Sequence, residues 1–140
     1  MRVFLDANVL FSAAYMATGS PRALFTLARA GVFEIVSSGY ALEEARRNVA
    51  AKNPRRINDL ESLVRETATG REPERATVEW ALSLGLPDKD APSLAAAVDS
   101  GCHLLVTGDV THFGKLYGTQ QRGTVVLRPA EAIELLIGSR

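Results

Sequence analysis

The chain opens on an apolar run, Val3-Phe4-Leu5, that meets a carboxylate at Asp6 and continues as Ala7-Asn8-Val9-Leu10. Its β-branched and aromatic content predicts a short strand buried on both faces and ending at Asp6. Ser20-Pro21 reads as an N-cap followed by proline in the first helical turn. Ala23, Leu24, Leu27 and Ala28 keep helical spacing, and Gly31 supplies a stop. Phe33 to Ser37 predicts a second strand. Tyr40 to about Ala51 predicts a helix with Leu42, Ala45 and Val49 on one face, broken at Asn53-Pro54. Ile57, Leu60 and Val64 carry a helical period through Arg55 to Thr69, and Gly70 to Pro73 reads as a loop. A helix is expected around Trp80, over Glu74 to Leu84. Leu86 to Asp90 is a loop leading into the alanine-rich helix Ser93 to Ser100, which Gly101 ends. His103 to Thr107 is a third core strand closed by Gly108-Asp109, and Thr124 to Leu127 a fourth. Pro129 opens a last helix with Ile133, Leu136 and Ile137 on its apolar side.

Strands alternating with helices predict an α/β fold, a parallel sheet with helices on both faces. At 140 residues one domain is expected over 1–140, with no repeat or linker. Sixteen basic and sixteen acidic side chains give zero net charge, so no global basic field draws nucleic acid in, and any such binding must rest on a local patch. The single cysteine, Cys102, excludes an internal disulfide and fits a reducing compartment. The first strand starts almost at Met1, without a signal-peptide pattern, and no apolar stretch is as long as a membrane span. A soluble, cytoplasmic protein without membrane contact is expected.

The connectivity rule changes the meaning of the acidic residues. In βαβ units the chain leaves each strand at its carboxyl edge, where ligands bind in open α/β sheets. Asp6 ends the first strand, Glu43 and Glu44 lie early in the helix after the second, Asp90 opens a helix and Asp109 follows the third strand. Each also has an ordinary structural reading. Asp6 and Asp90 could cap helices, Glu43 could pair with Arg46 or Arg47, Glu44 with Arg47, and Asp109 could sit in a turn beside Gly108. Singly those readings have the advantage. Together they lose it, because a like-charge pair at about 4 Å costs roughly 4 kcal/mol at an effective dielectric near 20. Carboxylates clustered in this way suit Mg²⁺ or Mn²⁺.

Leu5 to Leu10, Ser37 to Glu44, Asp90 to Ala97 and Leu105 to Asp109, in this order and spacing, resemble a PIN domain over nearly the whole chain. The nearest group is that of the toxin components of toxin–antitoxin pairs, relatives of VapC toxins. The resemblance implies a three-layer α/β/α fold with a short, mainly parallel central sheet and a metal-dependent endoribonuclease. It implies that Asp6, Glu44, Asp90 and Asp109 form an acidic quartet, catalytic and metal-binding, oriented by Asn8 and Thr107. Family spacing, not helical geometry, chooses Glu44 over Glu43; Asp88 is a weaker candidate. Many relatives carry one more acidic residue two or three positions after the one matched by Asp109; here Val110-Thr111-His112-Phe113 supplies none.

For substrate, Arg46, Arg47, Arg55 and Arg56, with Lys52, form a basic stretch able to follow a phosphate backbone, and His112 could touch phosphate or move protons. A solvated helix face is the equal alternative for the arginines, and an incidental loop residue the usual reading of His112. Tyr15, Tyr40 and Tyr117 could stack on bases. His103 is expected at a strand start and Cys102 buried and inert. The apolar residues of the central helices, with Trp80, could serve a homodimer or receive an antitoxin. The rivals are a haloacid-dehalogenase-like phosphatase, which would need an aspartate where Asn8 stands, a PIN module that only binds, and a PIN nuclease of RNA processing without a toxin role.

Overall fold

The computed structural model describes residues 1–138. Six strands form one sheet: β1 (Arg2–Leu5), β2 (Glu34–Ser37), β3 (Ala68–Thr69), β4 (Leu104–Val106), β5 (Gln120–Gln121) and β6 (Thr124–Leu127). Their order is β3-β2-β1-β4-β6-β5, parallel throughout except where β5 returns against β6. Val3 sits beside Ile35 on one side and Leu104 on the other, so β1 is central. The helices are α1 (Ala7–Tyr15), α2 (Ser20–Arg29), α3 (Gly39–Lys52), α4 (Ile57–Arg65), α5 (Arg75–Ser83), α6 (Ala91–Asp99), α7 (Val110–Phe113) and α8 (Pro129–Gly138), with a tight turn at Pro54–Arg56 before α4.

Successive strand side chains point to opposite faces, so an all-apolar strand buries both. Val3, Leu5, Ile35 and Val106 pack with Leu10, Leu24, Phe25, Leu42, Leu60 and Leu136 in one layer. Phe4, Val36, Leu105 and Val126 pack with Ala81, Leu94, Ala97 and Phe113 in the other. The expected three-layer α/β/α arrangement is therefore the observed one. Burying each such Leu or Phe contributes roughly 1.5–3 kcal/mol, so the strand ends that carry the acidic residues are firmly anchored.

Several boundaries differ from the expectation. The run after Asp6 is helix α1, with Val9, Leu10, Ala13 and Ala14 buried at helical spacing. A continuous apolar run carries no period that separates strand from helix. Ser20 is the first residue of α2 and makes no capping bond; Gly19 takes the cap position. Ala68-Thr69, read as a helix end, pairs with Val36-Ser37 as β3. Ile137 is not on the packed side of α8: it is 51% exposed, while Ala132 and Leu136 are buried. Trp80 is half-buried: it packs against the second core layer and carries the Arg122 guanidinium 4.2 Å above its ring. Among the described residues, no helix is long and apolar enough to cross a membrane.

Candidate active site

The carboxyl edge of the sheet receives side chains from four helix starts. Asp6 caps α1, Asp90 precedes α6 and Asp109 caps α7. Ser38 caps α3, its Oγ accepting from Ala41 N at 3.0 Å, which sets the phase of the helix that carries Glu44. Between them lies a cavity of about 360 Å³ walled by Asp6, Asn8, Ser12, Glu44, Asn48, Lys89, Asp90 and Asp109. Glu44 faces this cavity. Glu43 is exposed and faces a separate groove between α3 and α4. Asp88 is exposed and outside the wall.

Asp6 is 5% exposed and fully hydrogen-bonded. Its Oδ1 accepts from Ala7 N at 2.9 Å and Ser93 Oγ at 3.0 Å. Its Oδ2 accepts from Thr107 Oγ1 at 2.9 Å and Asn8 Nδ2 at 3.2 Å. Burial pushes its pKa up, against the pull of the Thr107, Ala7 and Ser93 bonds, and Asp109 adds repulsion. An aspartate held in this way has both oxygens fixed in orientation at the cavity wall. Asn8 and Thr107 hold the edge together: Asn8 Nδ2 also donates to Thr107 Oγ1 at 3.1 Å, and Thr107 Oγ1 accepts from Asp109 N at 3.2 Å. Gly108 N donates to Asn8 Oδ1 at 2.7 Å, an approach that a side chain at Gly108 would crowd.

Among the described residues, Asp90, Asp109 and His112 form a group with one donor atom from each lying within 4.8 Å of the others. His112 Nδ1 is 2.7 Å from Asp109 Oδ2 and 2.9 Å from Asp90 Oδ2. A ring nitrogen carries one proton at most, so it donates to one of the two. Asp90 Oδ2 is buried without a hydrogen bond. Burial raises the pKa of Asp90, as does repulsion from Asp109 and Asp6, with His112 and Lys89 opposing. Glu44 is raised by burial and by Asp6 and Asp90, with Lys89 and Arg47 opposing. An orphaned buried carboxylate oxygen beside two further donors, in a wall of half-buried acids, fits a divalent cation.

The carboxylates are not alone at this edge: the Lys89 ammonium lines the cavity and the His112 imidazole sits among them. The arginine stretch is elsewhere. The Arg46 guanidinium donates two hydrogen bonds to the Glu61 carboxylate, at 2.8 and 3.1 Å. With Arg47 it borders the α3/α4 groove. Arg55 and Arg56 lie exposed on the turn before α4, Arg56 3.4 Å from Asp59. His112, expected in a loop, stands in α7 and touches two carboxylates. Of the tyrosines, Tyr40 donates to Lys89 O at 3.3 Å and Tyr117 to Thr107 O at 2.7 Å, while Tyr15 stacks on Phe11 away from the cavity wall. His103 accepts from Arg2 N at the start of β4. Cys102 is buried, its thiol pushed up to about 11 and so protonated at neutral pH.

Sequence reasoning missed Ser93, Asn48, Ser12 and Lys89. Two had a signal: Ser93 follows Asp90 by three residues and Asn48 follows Glu44 by four, both same-face helical spacings. Thr107→Val keeps the side-chain shape but removes one of the two donors to Asp6 Oδ2 and the acceptor of Asp109 N–H. It is expected to cost about 1–3 kcal/mol in denaturant unfolding. Loss of an orienting partner should also weaken Mn²⁺ binding by roughly 10–100-fold in a titration. Unchanged Mn²⁺ affinity would remove Thr107 from the site.

Solved structures of similar fold include VapBC2 from Rickettsia felis bound to a DNA fragment from their promoter, with TM-score 0.68 and 15% identity over 91% of this chain and 98% of that one. VapBC-1 from nontypeable Haemophilus influenzae gives TM-score 0.63 and 14% identity over 93% and 99%. FitAcB from Neisseria gonorrhoeae gives 0.59 and 18% over 91% and 98%. At such identities the likeness concerns the fold alone. No curated protein matches the chain in sequence. Residues 2–111, most of the chain and all of the acidic positions at the cavity, match the family described as the PIN domain, and the chain belongs to that family.

Proposed function

We propose that this protein is a metal-dependent endoribonuclease, the toxin of a type II toxin–antitoxin pair, acting on RNA in the cytoplasm. The observation that carries the reading is the convergence of Asp6, Glu44, Asp90 and Asp109 on one cavity, with Asp90 Oδ2 buried and unpartnered. Asp90 and Asp109 would hold Mg²⁺ or Mn²⁺, which supplies polarisation of a phosphoryl oxygen and a more acidic bound water. Asp6 fixes the cavity floor through its four hydrogen bonds and keeps its charge close to Asp109. Glu44 projects from α3 across the cavity. Its raised pKa suits it to take a proton from the attacking water. Lys89, exposed on the rim, offers an ammonium to the scissile phosphate. The arginines around the α3/α4 groove are left for a longer stretch of backbone or for a protein partner.

The toxin role rests on the sequence resemblance and on structural likeness to complexes named VapBC, which supports an antitoxin partner. Assembly as a homodimer belongs to the same proposal. The test is cleavage of a defined RNA in Mn²⁺ or Mg²⁺. Glu44→Gln should lose roughly two orders of magnitude or more in rate, as expected when a proton acceptor is removed. Glu43→Gln should stay within about twofold, since it faces the other groove. Activity lost in Glu43→Gln and kept in Glu44→Gln would shift the assignment by one residue. Induced expression should arrest growth, and co-expression of a neighbouring antitoxin gene should relieve it. Normal growth despite measurable cleavage would favour RNA processing without a toxin role.

A further inference from the structure

His112 is the side chain that the acidic-quartet reading leaves unexplained. It belongs to a four-residue helix whose start is fixed by Asp109: Oδ1 of Asp109 accepts from His112 N at 3.1 Å. That bond turns the imidazole back over the carboxylates, so Nδ1 comes within 2.7 Å of Asp109 Oδ2 and 2.9 Å of Asp90 Oδ2. Donor atoms that share one cation at bonds of about 2.1 Å, roughly at right angles, stand about 3 Å apart. These spacings are of that size. Nδ1 carries one proton at most and can satisfy one of the two oxygens only, so the imidazole by itself leaves Asp90 Oδ2 buried and unbonded, as a cation between the three donors would not.

We propose that His112 Nδ1 is a nitrogen ligand of the metal ion held by Asp90 and Asp109, and that it turns the site's preference from Mg²⁺ toward Mn²⁺ and later first-row ions. The inference rests on the metal-site reading above and adds the ligand and the ion. Mg²⁺ takes hard oxygen donors in a near-ideal octahedron and sheds water reluctantly. Imidazole nitrogen favours the transition ions, whose affinities rise along the first row. A carboxylate at position 112 would give an all-oxygen site instead. As a ligand, the imidazole gives its Nδ1 lone pair to the metal and carries its proton on Nε2.

Pulsed electron paramagnetic resonance of the full chain loaded with Mn²⁺ tests this without reference to activity. The wild-type protein is expected to show modulation from a histidine nitrogen. In competition titrations Mn²⁺ should bind at least about tenfold more tightly than Mg²⁺. His112→Asp should lose the nitrogen modulation and bring the two affinities within a few-fold of each other. His103→Gln, which alters the only other histidine, should keep both properties. If His112→Asp fails to fold, the wild-type spectrum still decides. Bound Mn²⁺ without nitrogen coupling overturns the ligand assignment and leaves the metal-nuclease reading standing. Nitrogen coupling that disappears in His103→Gln overturns it equally. Absence of Mn²⁺ binding overturns the inference together with the reading it rests on.

Discussion

Asp90→Asn is expected to lower RNA cleavage by roughly a thousandfold and, in the metal-free protein at pH 7.5, to raise stability by about 1 kcal/mol. The two effects share one cause. Asp90 lies close to Asp109 and interacts unfavourably with both Asp109 and Asp6, and one of its oxygens is buried with nothing donating to it. Asparagine keeps the shape, removes the charge and brings an amide that can donate to Asp109. The repulsion is relieved, and with it goes the carboxylate that the proposed metal site requires. In a chain of this length, 1 kcal/mol corresponds to roughly 3 °C in Tm. Stabilisation on loss of function is the mark of a residue kept for chemistry rather than for folding. An Asp90→Asn variant that is inactive and also less stable would place Asp90 among the structural residues. Full activity would remove it from the site.

The sheet was legible in the sequence because its central strands are apolar on both faces and short, flanked by turn residues. Val3-Phe4-Leu5 and Leu104-Leu105-Val106 have this form, and they lie side by side. The two-residue strands Ala68–Thr69 and Gln120–Gln121 were not legible. Their pairing is imposed by β2 and β6, and nothing local announces it. Helix α1 was hidden by the continuity of the apolar run across Asp6, where only the capping role of the aspartate marks the change.

The carboxylates were legible because connectivity alone sends strand ends to one edge. The distances among them were not. Asp6, Asp90 and Asp109 each cap or precede a helix, so the ordinary reading and the functional one are both true of the same side chain. What sequence could not say is which acids are already satisfied. Asp6 has four donors and Asp90 Oδ2 has none. That contrast separates an acid whose oxygens are already satisfied from one with an oxygen left for a ligand, and it depends on Ser93 and Thr107, which lie 87 and 101 residues from Asp6 along the chain. The position of His112 was not legible for a related reason. Its place depends on the Asp109 cap turning a short helix back over the site, a tertiary event with no periodic signature.

Mn²⁺ at a hundredfold excess over its Kd is expected to raise Tm by roughly 5–10 °C at pH 7.5 and by almost nothing at pH 4. Asp6, Glu44 and Asp90 all have pKa values raised in the folded protein above the ordinary 3.8 for Asp and 4.5 for Glu. Well below those ordinary values both folded and unfolded chains are protonated, and the three groups add no pH dependence. As pH rises, the unfolded chain ionises first. The folded state then holds more protons, and stability falls until the raised values have been passed. Glu61 and Glu66 run the other way: Arg46 and Arg29 hold them low, so their contribution is present above the ordinary Glu value and lost as pH falls through their folded values. Both pairs are well exposed and worth little. Through these three groups the site therefore leaves the metal-free protein less stable above their raised pKa values than below the ordinary carboxylate range. A divalent ion reverses this, because it binds the ionised form in the folded state only, and at acid pH protons compete for the same oxygens. Thermal melts with and without Mn²⁺ across pH 4 to 8 measure the difference directly. A Tm increase of the same size at pH 4 and pH 7.5 would mean that the ion binds somewhere other than these carboxylates.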